Sequence, residues 1–317
     1  MHPLISILIP VYNAEKWLSE TLQSAVEQTW PRKEIIVVDD GSTDGSLTVA
    51  HQFESSILRI VANEHEGKTF TVNRALRESQ GDYVQYLDAD DILAPDKLSI
   101  QVERLMSEPA NTIATCSWSR FYNDDLRTAE FSQQADFRDY LSPIEWLIQE
   151  WGGRATMPPV AWLIPRKVVE LAGPWNESLS LNDDTEYFTR IVLNSGKIAF
   201  CANARSFYRS GNVSLSGRRT RVALESFYTV CEMSTQHILR FEDSERVRQA
   251  CANLWQHFIH WVYPEAPDLI RSAEAKVDSF GGASLKLSGS RGFEVAKGVV
   301  GWKAVRRLQG LRLKLGR

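Results

Sequence analysis

The stretch Tyr83-Val84-Gln85-Tyr86-Leu87-Asp88-Ala89-Asp90-Asp91 decides the fold. Apolar and aromatic residues lead into it, which predicts a buried strand, and three carboxylates follow at the C-terminal end of that strand. Ligands of open α/β sheets bind at the carboxyl ends of the strands. Clustered carboxylates repel one another unless a cation lies among them, and hard oxygen ligands suit Mg²⁺ or Mn²⁺. The stretch therefore predicts a metal site for phosphates. The alternative is that these acids cap the helix expected after Pro95-Asp96.

Strand and helix patterns alternate through the first third of the chain, which predicts right-handed crossovers and a mostly parallel α/β sheet. The segments are strands from Ile5 to Val11, Glu34 to Val38 and Leu58 to Ala62, and a helix from Thr69 to Glu78. Three strands end in polar clusters, at Tyr12-Asn13, at Asp39-Asp40 and at the acidic stretch. We expect these clusters at one edge of the sheet.

Asp39-Asp40 follows the second strand and allows two interpretations. An acid at this point of a nucleotide-binding unit is placed to accept hydrogen bonds from a ribose or from a base N–H group. Alternatively, the run Asp40-Gly41-Ser42-Thr43 is a turn that leads into a helix cap. One aspartate could serve each role.

A second phosphate motif competes with this interpretation. The run from Ala62 to Thr69 resembles the P-loop G-x-x-x-x-G-K-[S/T], with Ala62 in place of the first glycine. Glu64 and Glu66 would place negative charges beside the phosphates, and a P-loop normally follows the first strand. A P-loop nucleotide hydrolase is therefore the weaker alternative, although Lys68 is still expected to approach a diphosphate.

Two further sites carry charges. Asn182-Asp183-Asp184 precedes a helical apolar pattern, so both acids belong to the first helical turn. They either serve only that helix or supply a general base that the helix terminus keeps ionised. Arg209, in the loop expected from Tyr208 to Asn212, either folds over a diphosphate or is an ordinary exposed arginine.

Composition gives no global reason to expect nucleic acid, since the 317 residues carry a net charge of -4. The four cysteines form no metal or disulfide pattern, which indicates a cytosolic protein. Long helical patterns begin at Arg221, and residues 296–317 contain basic and apolar residues but no acid. This tail is either a basic amphipathic helix on an anionic membrane surface or a helix packed on the domain.

Taken in order, the motifs of the first two thirds resemble the inverting family 2 glycosyltransferases of the GT-A fold. The matching pieces are Ile7-Leu8-Ile9-Pro10-Val11-Tyr12-Asn13, Ser24 to Thr29, Glu34 to Asp44, Asn73-Arg74-Ala75, Gly81-Asp82-Tyr83, Leu87 to Asp91, Gly173-Pro174-Trp175 and Asp183-Asp184. The resemblance implies a Rossmann-like, mostly parallel sheet in residues 1–215, with a nucleotide-sugar half (1–110) and an acceptor half (111–215). Residues 216–317 are then a helical C-terminal extension that ends in the basic segment.

For the donor, the resemblance implies that Pro10 and Val11 line the base pocket and that Tyr12 lies near the base. Asp40 would accept from the base N3–H group, with Asp39 supporting it. Asp88 would contact the ribose. Asp90, with Asp88 beside it, would bind the Mg²⁺ or Mn²⁺ ion that bridges the diphosphate.

For the reaction, the resemblance implies that Asp184 is the base that deprotonates an acceptor hydroxyl. The family often has Glu-Asp where this chain has Asp183-Asp184, so Asp183 is the second choice. A histidine often follows the family's Tyr-Arg, and its absence after Arg209 puts loop closure in doubt.

The expected activity is metal-dependent transfer from a nucleotide-diphosphate sugar, with UDP favoured, to a glycan or lipid-linked hydroxyl. The expected location is cytoplasmic, or peripheral on the cytoplasmic face of a bacterial inner membrane. A non-catalytic nucleotide-sugar-binding protein is the other alternative.

Overall fold

The structure, a computed structural model, describes residues 2–153, 157–211, 219–285, 296–298 and 301–306. The strands are β1 (Ile5–Val11), β2 (Lys33–Asp39), β3 (Leu58–Ala62), β4 (Tyr83–Tyr86), β5 (Ile92–Leu93), β6 (Thr112–Tyr122), β7 (Ile164–Pro165) and β8 (Lys197–Ser210). The helices are α1 (Leu18–Val26), α2 (Ser46–His51), α3 (Lys68–Glu78), α4 (Lys97–Met106), α5 (Ile144–Trp151), α6 (Arg166–Ala172), α7 (Asp183–Asn194), α8 (Arg221–Phe241), α9 (Glu245–Val262) and α10 (Pro267–Ser279).

Five strands form the larger sheet, in the order β3-β2-β1-β4-β7. The first four are parallel to their neighbours, and β7 is antiparallel to β4. Both faces of a parallel sheet are covered by helices, which explains the continuous apolar run of β1. Its one polar residue, Ser6, is fully buried, donates to Glu34 and accepts from the backbone N–H of Gly81. The mostly parallel α/β sheet is therefore confirmed.

A smaller sheet has the strand order β5-β8-β6. Here β8 runs parallel to β6 and extends to Ser210. Tyr208 and Arg209 therefore belong to a strand rather than to the expected loop. Between α5 and α6, Pro159–Ala161 form a 3₁₀ turn, and Ile164 and Pro165 pair with β4. Pro159 lacks the N–H group that a ladder needs.

The alternative that the acidic stretch caps the next helix is wrong. That helix, α4, begins after Asp96, and the strand Ile92–Leu93 lies between it and Asp91. The acids of residues 88–91 are therefore free of the capping role that would have explained them structurally.

Helices α8 to α10 extend the same buried core that surrounds the larger sheet, and this core includes Phe227, Trp255 and Phe258. One polar contact joins α7 to α8: Glu186 is 1% exposed, forms a bidentate ion pair with Arg190 and lies 3.1 Å from His237 Nε2. No helix of the described ranges is long and apolar enough to cross a bilayer.

Residues 301–306 of the basic tail are helical and pack on the protein. The ring of Trp302 contacts the rings of His260 and Tyr263, and Val305 is buried. Lys303 pairs with Glu274 at 2.8 Å. The packed alternative therefore holds for this part of the tail, while residues 307–317 lie outside the described residues.

Candidate active site

A cleft of about 1120 Å³ opens where β1, β2 and β4 end and where α7 begins. This position follows from the rule that parallel strands present their ligands at their carboxyl ends. All predicted site residues except Asp39 and Arg209 line it: Pro10, Val11, Tyr12, Asp40, Lys68, Asp88, Asp90, Asp183 and Asp184. The acids of the fourth strand and of α7, which are almost one hundred residues apart in sequence, therefore face one space.

At the end of β2, the two aspartates divide their roles. Asp40 accepts hydrogen bonds from the backbone N–H groups of Glu66 and Gly67, at 2.9 and 3.0 Å. A P-loop would offer such amides, at the start of its helix, to a phosphate. In this chain a carboxylate already binds them, so the P-loop alternative has no support. Asp39 is buried below the cleft and accepts from the backbone N–H of Ser42, as a turn residue does.

The exposed ring of Tyr12 stacks on the ring of His65, with centroids 4.2 Å apart and an interplanar angle of 20°. The His65 Nδ1 atom lies 2.8 Å from an Asp40 carboxylate oxygen. The two rings form an aromatic platform beside Pro10 and Val11 at the mouth of the cleft.

Lys68 is the positive charge among the cleft acids. Its Nζ atom lies 3.4 Å from Asp88 Oδ1. Burial would lower the pKa of Lys68, but the carboxylates of Asp88, Asp183 and Asp184 raise it above its ordinary value. Lys68 therefore stays charged and partly neutralises acids from both ends of the cleft.

Asp90 lies in a group of carboxylates with Asp88 and Asp91. Burial and the neighbouring Asp88 carboxylate raise the pKa of Asp90 to about 6, against the opposing effects of Arg209 and Lys68. Burial, followed by Asp90 and Asp88, also raises the pKa of Asp91. One Asp91 oxygen is buried without a hydrogen-bond partner. A cation would stabilise this cluster.

Arg209 was expected either to fold over a diphosphate or to be exposed on the surface. In this structure it does neither. Its side chain is fully buried, with ion pairs to Glu20 and Asp124 at 2.6 and 2.7 Å. Its Nε donates to the backbone oxygen of Asp90 at 2.8 Å, and its backbone N–H donates to Asp91. Because side chains alternate along a strand, Tyr208 faces the cleft and Arg209 the opposite side.

Asp183 and Asp184 form the first turn of α7, after Asn182 in the left-handed conformation with φ 55°. Burial raises the pKa of Asp183 to about 6, while the charge of Lys68 opposes that rise. Burial also raises the pKa of Asp184, whose Oδ1 accepts from the backbone N–H of Thr185. The expectation that the helix terminus holds these acids ionised is thus only partly met, since burial outweighs it. A raised pKa suits a general base.

An aromatic cluster joins the two acidic groups underneath. The hydroxyls of Tyr86, on β4, and Tyr187, on α7, are 2.6 Å apart. Trp175 stacks on Tyr187 at 4.2 Å, and its backbone exchanges two 2.8 Å hydrogen bonds with the Asn73 amide. These contacts are buried and fix α7 relative to β4 and α3.

The sequence of this chain matches the family model for "Glycosyl transferase family 2" over residues 6–168, which is about half of the chain. The chain belongs to this family. This family 2 glycosyltransferase is therefore an enzyme, a transferase that moves a sugar from a nucleotide donor, as the motifs predicted.

Known proteins agree with this assignment. An Escherichia coli relative, "UDP-Glc:alpha-D-GlcNAc-diphosphoundecaprenol beta-1,3-glucosyltransferase WfgD", is 34% identical over 104 residues, 32% of this chain and 41% of that protein. Among solved structures, Staphylococcus aureus TarS 1-349 in complex with UDP superposes with a TM-score of 0.63 at 17% identity, covering 87% of this chain and 88% of that one. The mannosyltransferase PcManGT of Pyrobaculum calidifontis, in complex with GDP-Man and Mn²⁺, gives 0.53 at 19% identity, covering 99% and 81%. The GT-A fold is thus confirmed.

The donor set of this glycosyltransferase fits a metal held jointly with a ligand. The described residues contain no group of three or more His, Cys, Asp or Glu arranged to hold a metal ion. Asp88 and Asp90 nevertheless face the cleft together, and the charges of Lys68 and Arg209 do not offset the burial and mutual repulsion that raise the pKa of Asp90. Mg²⁺ is typically bound by one or two carboxylates plus the phosphates of its substrate.

Trp118, Arg120 and Glu150 are among the residues of the cleft wall that the sequence analysis did not single out. Glu150 lies in the last turn of α5, and burial, with the charges of Asp184 and Asp136, raises its pKa to about 8. Its position after Trp146 in an amphipathic helix gave no functional signal. Arg120 could have been found only from the period of β6, which places Trp118, Arg120 and Tyr122 on one face.

Proposed function

We propose that the enzyme transfers a sugar from a UDP-sugar to a hydroxyl of a glycan or lipid-linked acceptor, with inversion at the anomeric carbon. Asp90, with Asp88, would hold Mg²⁺ or Mn²⁺, and Asp184 would be the general base, with Asp183 as second choice. The observation that carries this proposal is the shared cleft: the acids of β4 and α7 face each other across it, with Lys68 among them.

The donor side would use the ends of β1 and β2. Tyr12 offers a ring face to the base, and Pro10 and Val11 line the same end of the cleft. The Asp40 carboxylate accepts from two backbone N–H groups and contacts His65, which leaves one lone pair for a base N–H group. His65 now covers the ring of Tyr12, so a base would have to displace it. UDP is favoured because the TarS structure holds UDP and because the name of the E. coli relative specifies UDP-Glc.

The diphosphate would lie between the acidic stretch and Lys68. When bound, the metal would supply positive charge to the departing diphosphate. The Mn²⁺ in the PcManGT complex supports this part of the proposal. The Lys68 ammonium, from the start of α3, would approach the same oxygens, as its distance of 3.4 Å to Asp88 suggests. Arg209 would act from below, by holding the backbone of Asp90 in place.

The displacement is a single step. The acceptor oxygen forms a bond to the anomeric carbon while the bond from that carbon to the diphosphate oxygen breaks. Asp184 takes the hydroxyl proton, for which its raised pKa is suited. Attack from the face opposite to the leaving group inverts the configuration.

Two variants test the proposal. The Asp184→Asn variant should bind UDP with Mn²⁺ within about twofold of the wild type but lose at least 100-fold in sugar transfer. The Asp183→Asn variant should lose less if Asp184 is the base. The assay is release of UDP from a panel of UDP- and GDP-sugars, with product anomers read by NMR. Wild-type protein that binds UDP but never turns over a donor would favour the non-catalytic binding protein.

The acceptor part of the proposal is assembly of a cell-envelope polysaccharide at the cytoplasmic face of the membrane. The E. coli relative is named for a lipid-diphosphate acceptor. Residues 307–317 carry Arg307, Arg312, Lys314 and Arg317, and we propose that they contact anionic lipids. Truncation after Arg306 keeps the packed Trp302 and Val305, so it should abolish sedimentation with anionic vesicles but leave stability intact. Unchanged sedimentation would contradict the membrane contact.

A further inference from the structure

Arg120 is a charge beside the cleft that the proposed function leaves without a role. It is exposed on β6, and its Nη1 atom donates to the Ser210 hydroxyl at 2.9 Å. Its guanidinium carbon lies 4.9 Å from the ring centroid of Tyr208 and 5.7 Å from that of Trp118. Across the described parts of the chain, no carboxylate lies within ion-pair distance of Arg120. Aromatic faces and one hydroxyl therefore hold a guanidinium whose charge is not neutralised.

Strand geometry explains this arrangement. In the pairing of β6 with β8, Trp118 lies opposite Ser206, Arg120 opposite Tyr208 and Tyr122 opposite Ser210. Successive side chains of a strand alternate between faces, so these side chains share one face of the smaller sheet. Phe121 and Arg209 stack on each other on the other face, with the guanidinium carbon 4.5 Å from the ring centroid.

On the first face lies a second depression, the side groove, of about 520 Å³. It is lined by Trp118, Ser119, Arg120, Tyr122, Thr128, Glu130 and Gln134. Trp118 and Arg120 line the main cleft as well, so the two spaces meet at these residues. The groove lies on the smaller sheet, and neither Asp40 nor Tyr12, where the donor is proposed to bind, lines it.

The chemistry of the side groove fits a sugar that carries a negative charge. Aromatic rings stack on the apolar faces of sugar rings, and hydroxyl and amide side chains bind sugar hydroxyls. A guanidinium binds a carboxylate or phosphate through two parallel hydrogen bonds. Glu130 is the one acid of the lining, and it is exposed and lies beyond ion-pair distance of Arg120. Charge therefore favours an anion at Arg120.

We propose that the side groove is an acceptor subsite that selects a sugar with an anionic group, which Arg120 binds. This inference rests on the proposed function, because it names the acceptor class of the same cleft. The acceptor would extend from its reacting hydroxyl near Asp184, past Trp118, into the groove. The anion is either the carboxylate of a sugar acid or a phosphate that links the acceptor to its carrier, and both present the same oxyanion to the guanidinium.

Binding of three small probes tests this without any turnover. The 317-residue chain, loaded with UDP and Mg²⁺, is titrated with methyl glucuronide, methyl glucoside 6-phosphate and neutral methyl glucoside, and the dissociation constants are measured by NMR. At least one anionic probe should bind ten times more tightly than the neutral one, and the tighter of the two identifies the anion. Equal affinity for all three probes would overturn the proposal.

Variants attribute the preference to Arg120. Arg120→Met should remove it, and Arg120→Lys, which keeps the charge but not the planar fork, should retain part of it. Arg127→Met is the matched control, because the Arg127 side chain is 91% exposed and forms a surface ion pair with Asp125. A preference that survives in Arg120→Met would overturn the assignment. The proposed function fails separately, if the wild type never hydrolyses a donor, because the probe titrations do not depend on turnover.

Discussion

The Nζ atom of Lys68 lies 3.4 Å from a carboxylate oxygen of Asp88, at the meeting point of the two acidic groups of the cleft. The same ammonium interacts with Asp183 and Asp184 at the start of α7. One cation thus balances carboxylates from β4 and from α7. In the proposed reaction it would compete for those carboxylates with a metal ion and, once a diphosphate is bound, would add its charge to that of the metal.

Replacing Lys68 by methionine should therefore have opposite effects on two ligands. Affinity for Mn²⁺ without nucleotide should rise about tenfold, because the repelling charge is gone. Sugar transfer should fall at least tenfold, because the diphosphate loses a contact. Isothermal titration and the donor-hydrolysis assay measure the two effects. Lys276→Met, at a surface pair with Glu232, is the control. Weaker Mn²⁺ binding in Lys68→Met would show that Lys68 does not face the metal.

Arg209 should matter for stability as well as for activity. Its fully buried side chain holds Glu20, Asp124 and the backbone of Asp90, so Arg209→Met should lower the free energy of unfolding by about 3 kcal/mol. Transfer should fall further than UDP binding does, because the acidic stretch loses its support. Urea denaturation and kinetics measure both. Arg127→Met should change stability by no more than about 0.5 kcal/mol, and a similar small effect at Arg209 would contradict its structural role.

Glu150 predicts a pH dependence of stability. Burial raises its pKa to about 8, above the unfolded value of about 4.3. The stability that the protonated acid contributes is complete below the unfolded pKa and is lost as the pH rises through about 8. Glu150→Gln should thus be more stable than the wild type by about 1 kcal/mol at pH 9 but not at pH 4. Urea unfolding at both pH values measures this difference, with Glu145→Gln as the control on the same helix. The same difference between Glu150→Gln and the wild type at pH 4 and at pH 9 would contradict the prediction.

Glu186 predicts the opposite dependence. Burial opposes its charge, but hydrogen bonds from His237 and Arg190 outweigh burial and lower its pKa. Its stabilising effect is therefore complete above the unfolded pKa of about 4.3 and is lost as the pH falls through the folded pKa. Glu186→Gln should lower the free energy of unfolding by about 2 kcal/mol at pH 7, and the difference from the wild type should become smaller below about pH 4. Equal denaturation midpoints at pH 7 would show that this contact does not hold α8 on α7.

Much of the fold could be predicted, because parallel strands are buried on both faces. The predicted limits of β1 and β3 agree with the structure at both ends, and the acids of the strand ends do meet at one edge. Each of these features depends on a local pattern of apolar residues followed by polar ones. Local patterns of that kind survive folding because the sheet places every strand end on the same side.

The features of the site that the sequence did not predict depend on contacts between segments that are distant in sequence. Whether Arg209 faces the cleft or the interior is decided by the pairing of β8 with β6, which no neighbouring residue reveals. Glu150 joins Asp184 only because α5 packs beside α7. The raised pKa of Asp183 follows from burial, which outweighs the effect of the helix terminus that the sequence does show.

The hydroxyl contact between Tyr86 and Tyr187 has a consequence for how such an enzyme diversifies. Because the spacing of the two acidic groups is set in the protein interior, exposed positions of the cleft wall such as Ser178 and Ser180 can change without altering it. New substrates can be acquired by changing the rim while the inherited chemistry stays constant. A mutant library restricted to that rim should thus yield altered substrate preference far more often than loss of turnover.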